Sequence, residues 1–422
     1  MSRFSRGDKT PRVKPVQKIE LSEKNIPLRI ALVALCIAIA ALAIGWGVSK
    51  ALNVEPGWQM IEVDCETVNC SQDFVLNYDF SDSGNAATTQ LRLLTILYSD
   101  ACEKAYWLFS PDQESEDFGN MCSVNRSLNK PVQVDPALYE ALEVMVEHNC
   151  RELYLAPVYA LYDDLISSDN DVMAAEFDPA RNRDLAGYAA QVAEFAADPK
   201  MIDLELLEDY QVQLRVSDAY LAFAAEYEIT VFADFHWMTN AFITDYMADL
   251  LLENGFTTGY IASNDGFTRN LDTRGNAYSM NIFNRLENQA YMAGQMVYRN
   301  NAALVSLRDY PMSERDQWSY YRWSDGHITN TYVDISDGCS KAAVDTLVTY
   351  AYGGSCAEVL LEMLDVYIAE ELEPEKLADL ADRGLYSVWC ENRTVCYNEA
   401  ALEITGLYEK DGIRYTARYT GK

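Results

Sequence analysis

The stretch TVFADFHWMTNAFITDYMADLLLENGFTTGYIASNDG, residues 230–266, decides how the chain is read. Its opening, with Thr230, Val231, Phe232 and Phe235, is short, β-branched and aromatic, and predicts a buried strand. Thr239 or Asn240 then offers a side-chain oxygen to cap a helix. Phe242, Ile243, Tyr246, Met247, Leu250 and Leu251 recur at helical spacing on one face of it. Asn254-Gly255 ends that helix, because glycine accepts the left-handed position after the last turn. Gly259, Tyr260 and Ile261 begin a second strand, closed by the turn residues Asn264-Asp265-Gly266. A strand, helix and strand of this size predict one crossover unit, and ligands gather where such strands end and helices begin. A plain packing unit has the same pattern.

Working outward, the mixture of elements predicts an α+β domain. Helices are expected over Thr88–Phe109, from Asp135-Pro136 onward, in an interrupted series through residues 151–200, and over Ser217–Glu228. Strands are expected at Phe74–Tyr78, Gln211–Val216, Ala302–Leu307 and Thr331–Ile335, and a loop-rich aromatic segment at 267–300. Lys341–Tyr352 and Cys356–Glu370 read as helices. The end, Tyr386–Tyr419, reads as two hairpins turning at Glu391-Asn392-Arg393 and Lys410-Asp411-Gly412.

Near the start, the run Ile30–Val48 contains no charged residue and has the length of a bilayer span. Upstream, Arg3, Arg6, Lys9, Arg12, Lys14, Lys18, Lys24 and Arg29 outnumber Asp8, Glu20 and Glu23. The positive-inside rule then predicts a basic cytoplasmic tail over 1–29, a transmembrane anchor over 30–50 and an extracytoplasmic domain over 51–422. A cleaved signal peptide is the rival reading, since small residues at Ala41/Ala43 and Ser49/Ala51 resemble cleavage sites. The apolar run is longer than a signal peptide's usual core, so the anchor is preferred.

The chain carries 33 Lys and Arg against 65 Asp and Glu, a formal net charge of −32, and the basic tail leaves the remainder more acidic still. Such a surface repels phosphate backbones and excludes nucleic acid as a partner. It favours divalent cations nearby, although a solvated acidic coat is the commoner meaning. Of ten cysteines, Cys65–Cys70 and Cys390–Cys396 are close enough for local disulfides in an oxidising compartment. Asp345 and Thr349, four residues apart in KAAVDTLVTYAYGG, would share one face of the helix expected there and offer hard oxygen ligands suited to Mg²⁺. Asp and Thr at that spacing also occur on many helices that bind nothing.

Several segments resemble one family, the FAD:protein FMN transferases known as ApbE. LFSPDQESEDFGNMCSVNRSLNKPVQVDPALYEALEVMVEHN (108–149) is similar to that family's N-terminal helix, serine-rich loop, short strand and helix. LAPVYALYDDL (155–165) resembles the next segment, and ADFHWMTNAFITDYMADLLLENG (233–255) has the layout of the family's D-x-G-G-x-A-K-G-Y-x-x-D motif. YIASNDG falls where a strand leading to Gly-Gly-Asp is expected, and NNAALVSL (300–307) where a threonine-serine-glycine loop is expected. DISDGCSKAAVDTLVT (334–349) looks like the strand and helix ending in a D-x-x-x-T metal pair.

The resemblance spans roughly residues 70–370 and implies a single ApbE-like, T-fold-like mixed domain. It implies Mg²⁺ held by Asp345, Thr349 and the main-chain carbonyl of Thr239. It implies FAD as substrate, with Asp265, Ser306 and His327 at the flavin site, and matches Asp234 and Asp245 to the aspartates of the central motif. The implied reaction moves FMN to a Ser or Thr of an extracytoplasmic flavoprotein acceptor. The chain departs from the pattern in having His236-Trp237 for Gly-Gly, Asn240-Ala241 for Lys-Gly, Ser263-Asn264 before Asp265 and Leu307 after Ser306. Glycines at such places let backbone approach phosphate, and His-Trp would obstruct it. The departures leave a second reading, a degenerate binding or assembly module on the same fold.

Overall fold

A computed structural model describes residues 26–52, 57–62, 70–312, 319–410 and 412–421. The chain divides into two units, Met1–Val54 and Glu55–Lys422. In the first, helix α1 spans Ile26–Leu52. Its described side chains are those of Pro27, Leu28 and residues 30–45, and among the described residues no helix is long and apolar enough to cross a membrane. The basic tail upstream of Ile26, and Cys65, lie outside the described residues.

The second unit begins with β1 (Trp58–Ile61), β2 (Phe74–Asp79), α2 (Ala87–Leu108) and α3 (Met121–Arg126). Then come β3 (Val132–Gln133), α4 (Pro136–Glu147), α5 (Ala156–Ile166), α6 (Asp171–Phe177) and α7 (Arg183–Ala197). A hairpin of β4 (Ile202–Leu207) and β5 (Gln211–Val216) leads to α8 (Asp218–Glu226) and α9 (Thr239–Glu253). Next are β6 (Gly259–Ser263), β7 (Phe267–Asn270), β8 (Ala277–Leu286), β9 (Gln289–Arg299) and β10 (Ala302–Arg308). After β11 (Tyr320–Arg322) and β12 (Ile328–Asn330) come β13 (Thr346–Tyr352), α10 (Cys356–Tyr367) and α11 (Pro374–Asp382). The end is β14 (Tyr386–Glu391), β15 (Thr394–Tyr397), β16 (Glu403–Thr405), β17 (Glu409–Lys410), β18 (Ile413–Arg414) and β19 (Thr416–Tyr419).

These elements make the expected α+β unit. A nine-stranded sheet runs β1-β2-β6-β7-β10-β13-β14-β15-β19, antiparallel except for the final β15–β19 pair. One face is covered by helices: α9 lies on β6 and β7, α10 on β10 and β13, and α11 on β14. The opposite face carries the three-stranded sheet β16-β9-β8. Between the two sheets Ile282, Met296, Leu304, Val348, Tyr350 and Val388 form a buried core. Period-two alternation explains the layering: Leu304, Val348 and Val388 face the small sheet, while Leu347 and Trp389, a register pair one residue out of step, face the helices.

Several expectations hold. Phe74–Asp79, Gln211–Val216 and Ala302–Arg308 are strands, and Ala87–Leu108, Asp218–Glu226 and Cys356–Tyr367 are helices. Asp135 caps α4 by accepting from the Ala137 amide at 3.0 Å, with Pro136 in the first turn. The turn at Glu391-Asn392-Arg393 falls where the sequence places it, and β17 pairs with β18 on either side of Asp411, which lies outside the described residues.

Others are corrected. Residues 230–235 are not a strand, because their amides bond elsewhere: Phe232 and Ala233 donate to the Asn125 side-chain oxygen at 2.9 and 3.0 Å, and Asp234 donates to Leu153 O. The crossover is therefore a loop, a helix and the strand β6, which pairs antiparallel with both neighbours. Neither Thr239 nor Asn240 caps α9; a short 3₁₀ turn over His236–Met238 runs straight into it. Residues 267–300 hold β7 and the long β8–β9 hairpin, and Thr331–Ile335 is irregular after β12. Lys341–Tyr352 is not a helix: its second half is β13, an interior strand bonded to β10 and β14. Cys70, Cys390 and Cys396 are free thiols. In the β14–β15 register Cys390 stands opposite Val395 and Cys396 opposite Trp389, so the two thiols leave opposite faces of the sheet and cannot be bridged.

Candidate functional site

The start of α9, the end of β6 and the middle of β10 come together behind the central stretch. Asn240 donates to Asp265 Oδ2 at 2.9 Å, and Ser306 N donates to Gly266 O at 2.9 Å. Gly266 has φ +117°, and a side chain there would meet the Ser306 carbonyl at 2.2 Å, so only glycine allows this approach. Asp265 is thus tied to the first turn of α9 through Asn240, while Ser306 meets this loop through its main chain at Gly266 and Thr239 makes no hydrogen bond to either. Burial pushes the Asp265 carboxyl up to about 6, and its Oδ1 is buried without a hydrogen-bond partner.

Aromatic rings pack around the turn that leads into α9. Trp237 meets Tyr332 edge to face at 4.8 Å, and Tyr332 meets the fully buried Tyr367 at 5.2 Å. His236 stacks on Tyr159 at 4.4 Å with its Nε2 3.1 Å from Asp163 Oδ1. Its backbone keeps a left-handed φ of +46°, a conformation that favours glycine and is here held by the Asp234 side chain accepting from the His236 amide at 2.8 Å. At His236 the main chain thus takes a shape that glycine favours, while its ring packs on Tyr159.

Burial opposes protonation of His236, but the hydrogen bond to Asp163 and the charge of Asp234 outweigh it, and the imidazole pKa lies above its ordinary value of 6.5. Folding therefore gains stability from this group below about pH 6.5 and loses it as pH rises through the folded-state value. Thermal unfolding followed from about pH 5.5 to about pH 8.5 should show a loss with rising pH that His236→Asn lacks. Parallel curves for the two proteins would contradict this assignment. The comparison with the variant removes the contribution of other groups that titrate in the same window.

The expected metal ligands do not converge. Thr349 lies within β13 and Asp345 in the bend just before its first residue, so the two do not share a helical turn. Thr349 is fully buried on the helix-covered face, with its hydroxyl 3.2 Å from Ser387 Oγ. Asp345 lies at the strand's mouth, 3.2 Å from Arg285, which also reaches Asp309 at 3.3 Å. Ser306, in register with Val348, points to the face opposite Thr349. The helix that follows the strand, α10, presents Val359, Leu360, Met363 and Leu364 to the core. Among the described residues no group of three or more His, Cys, Asp or Glu is placed to hold a metal ion. These residues do not fit a Mg²⁺ site of the Asp–Thr kind.

At the exit of β10 a cleft of about 360 Å³ opens, lined by Tyr162, Asp178, Arg181, Asp309, His327, Asn330, Ser340 and Lys341. Burial, reinforced by the neighbouring charge of Asp345 against the pull of Arg285, raises the Asp309 carboxyl to about 7, and its Oδ1 has no hydrogen-bond partner. Asp178 is raised by burial and bridges to Arg181 at 3.4 Å. Lys341 is held at 2.7 Å by Asp334 and 2.9 Å by Asp337, so its charge is already matched. His327 is exposed on this wall. A carboxyl near neutrality and an imidazole in one cleft are the ingredients of acid–base work. His327 thus lies in a cleft apart from Asp265 and Ser306. The sequence reading does not include Asp309, Asp178 or Lys341; the placement of Asp309 directly after a buried strand is the available signal.

No family model matches the chain, and no curated protein matches it. Among solved structures, the ApbE protein from Thermotoga maritima superposes with a TM-score of 0.53 at 10% identity, covering 79% of this chain and 93% of that one. Flavin transferase ApbE from Vibrio cholerae gives a TM-score of 0.49 at 10% identity over 79% of this chain and 94% of its own. A histidine-to-glycine mutant of the Vibrio cholerae protein gives 0.48 at 12% identity, over 78% and 92%. At such identity the likeness is one of fold alone, shared with the Thermotoga maritima ApbE protein over 79% of this chain.

Proposed function

We propose that this chain is a membrane-anchored, ApbE-like binding or assembly module whose Mg²⁺-dependent flavin chemistry has been lost. The observation that carries the reading is the β13 geometry, which sets Asp345 at the mouth of the strand and seals Thr349 against Ser387. The packing of Trp237 against Tyr332 in the turn before α9 supports it, as does the buried Asp265 carboxyl, whose negative charge at neutral pH repels pyrophosphate. The anchor reading rests on the uncharged run Ile30–Val48 behind a basic tail, with the N-terminus cytoplasmic and residues 51–422 outside.

The second reading is transfer of FMN from FAD to a Ser or Thr of an extracytoplasmic flavoprotein. The cleft that holds Asp309 and His327 favours it, because it sets a carboxyl raised to about 7 in one cleft with an imidazole. The full-length chain, purified in detergent and given FAD with Mg²⁺, separates the two. The module reading expects neither retained flavin nor AMP release above a blank. AMP release lost in His327→Ala or Asp309→Asn would replace it with the transferase reading.

A further inference from the structure

A second cleft, of about 700 Å³, lies on the open end of the large sheet, on the face turned away from α9. Its floor is set by register. Asn77 pairs with Tyr260, Ala262 with Thr268 and Trp58 with Asp79, so these rows share one face, while Leu76 and Ile261 between them are buried on the other. The first half of β8 makes the wall with Tyr278. The volume falls within the usual range for small-molecule sites.

Three rings dominate it. Trp58 is 47% exposed on the first strand of the sheet, a large aromatic surface left open to solvent. Behind it Tyr260 and Tyr278 lie 6.1 and 5.9 Å away, the second at nearly a right angle. Neither tyrosine is free to swing. Tyr278 donates its hydroxyl to Asp272 at 2.5 Å, and the Tyr260 hydroxyl accepts from Asn77 at 3.1 Å. Rings fixed this way need little ordering when something stacks on them.

The charge pattern narrows the occupant. Among the described lining residues no side chain is basic, and Arg274 close by is engaged by Asp79, Asp82 and Asp272. With 65 acidic residues against 33 basic ones in the chain, anionic ligands are repelled. Cations gain little, because the one lining carboxylate, Asp79, is already paired with that guanidinium. A purely apolar chain would strip water from Asn77, Asn276 and Thr268 without replacing its hydrogen bonds. What remains is a neutral molecule with flat apolar C–H faces and a rim of hydroxyls.

We propose that this cleft binds a neutral pyranose oligosaccharide, with a sugar ring stacked on Trp58 and hydroxyls bonded to Asn77, Asn276 and Thr268. The proposal is independent of the flavin question, because it uses none of the residues of the other cleft. The test is a glycan array probed with the full-length chain in a detergent that lacks a sugar headgroup. Separate arms carry plain hexose oligomers, N-acetylhexosamine oligomers, acidic glycans and uncharged aromatic peptides. Binding to a neutral-sugar arm is expected, weakened about tenfold or more by Trp58→Ala, only a few-fold by Trp58→Phe, and unchanged by Tyr419→Ala on the far edge of the sheet. Circular dichroism confirms that each variant is folded. Retention only on acidic glycans or peptides, retention on no arm, or neutral-sugar binding that Trp58→Ala leaves intact would overturn the proposal.

Discussion

Asp245→Ala is expected to lower the unfolding free energy by about 4 kcal/mol, measured by urea denaturation. Asp245 lies on the buried side of α9 and ties three elements together. Its two oxygens accept the first amides of α10, Cys356 N and Ala357 N, each at 2.8 Å. The Arg269 guanidinium on β7 reaches the same carboxylate at 2.6 Å and continues to Asp249 at 3.2 Å. Helix starts leave amides without partners, and a carboxylate there satisfies them while facing the positive end of the dipole. Removing it orphans two amides and leaves the nearly buried Arg269 guanidinium with only the exposed Asp249. The conservative Asp245→Asn keeps an acceptor but brings an N–H group against other donors, so it should recover only part of the loss. A change below about 1 kcal/mol for the alanine variant would show that water or Asp249 takes over these bonds.

The second large effect is at Asp272, at the turn after β7. This carboxylate is fully buried and receives Arg274 N at 2.8 Å, Arg274 Nη2 at 2.8 Å, Asn276 at 3.0 Å and Tyr278 at 2.5 Å. Burial alone would raise its pKa, but these donors outweigh burial and hold the carboxyl well below the usual range. Asp79, bonded by Ser81 and by Arg274 at 2.9 Å, is lowered by the same balance. The sign for stability follows from linkage. A depressed carboxyl contributes stability above its unfolded value, near 3.8, and loses it as pH falls toward the folded value. Acid unfolding should therefore steepen below about pH 4, and Asp272→Ala should flatten that limb while costing about 3 kcal/mol at neutral pH. The cost sits at the low end for a buried pair because Arg274 keeps Asp79 and Asp82. An acid limb identical in wild type and variant would contradict the assignment.

Both networks are half legible in the sequence. Asp245 stands out inside a well-patterned helix, and the helix itself shows because Phe242, Ile243, Met247 and Leu251 bury one face. Nothing local announces that its partners are Arg269 and the amides of residues more than a hundred positions later. The helix expected at 341–352 fails for a definite reason. KAAVDTLVTYAY carries alanines and an Asp–Thr spacing that suit a helix, yet an interior strand buried on both faces shows no alternation to give it away. Tertiary pairing with β10 and β14 decides the outcome. The opening at 230–235 fails the other way: its apolar residues are buried, as expected of a strand, but a single asparagine side chain takes the amides that a ladder would use. The helical reading of β13 also produces the metal pair, so the error in structure and the error in site are one error.

That Asp345 and Thr349 cannot grip one ion is the central claim, and it is tested most directly by titrating the full-length chain with Mn²⁺, a paramagnetic stand-in for Mg²⁺. The electron paramagnetic resonance signal of the free ion should fall only through weak binding to the acidic surface that salt removes, equally in wild type, Asp345→Asn and Thr349→Val. A single tight, salt-resistant site of one ion per chain, lost in both variants, would contradict it.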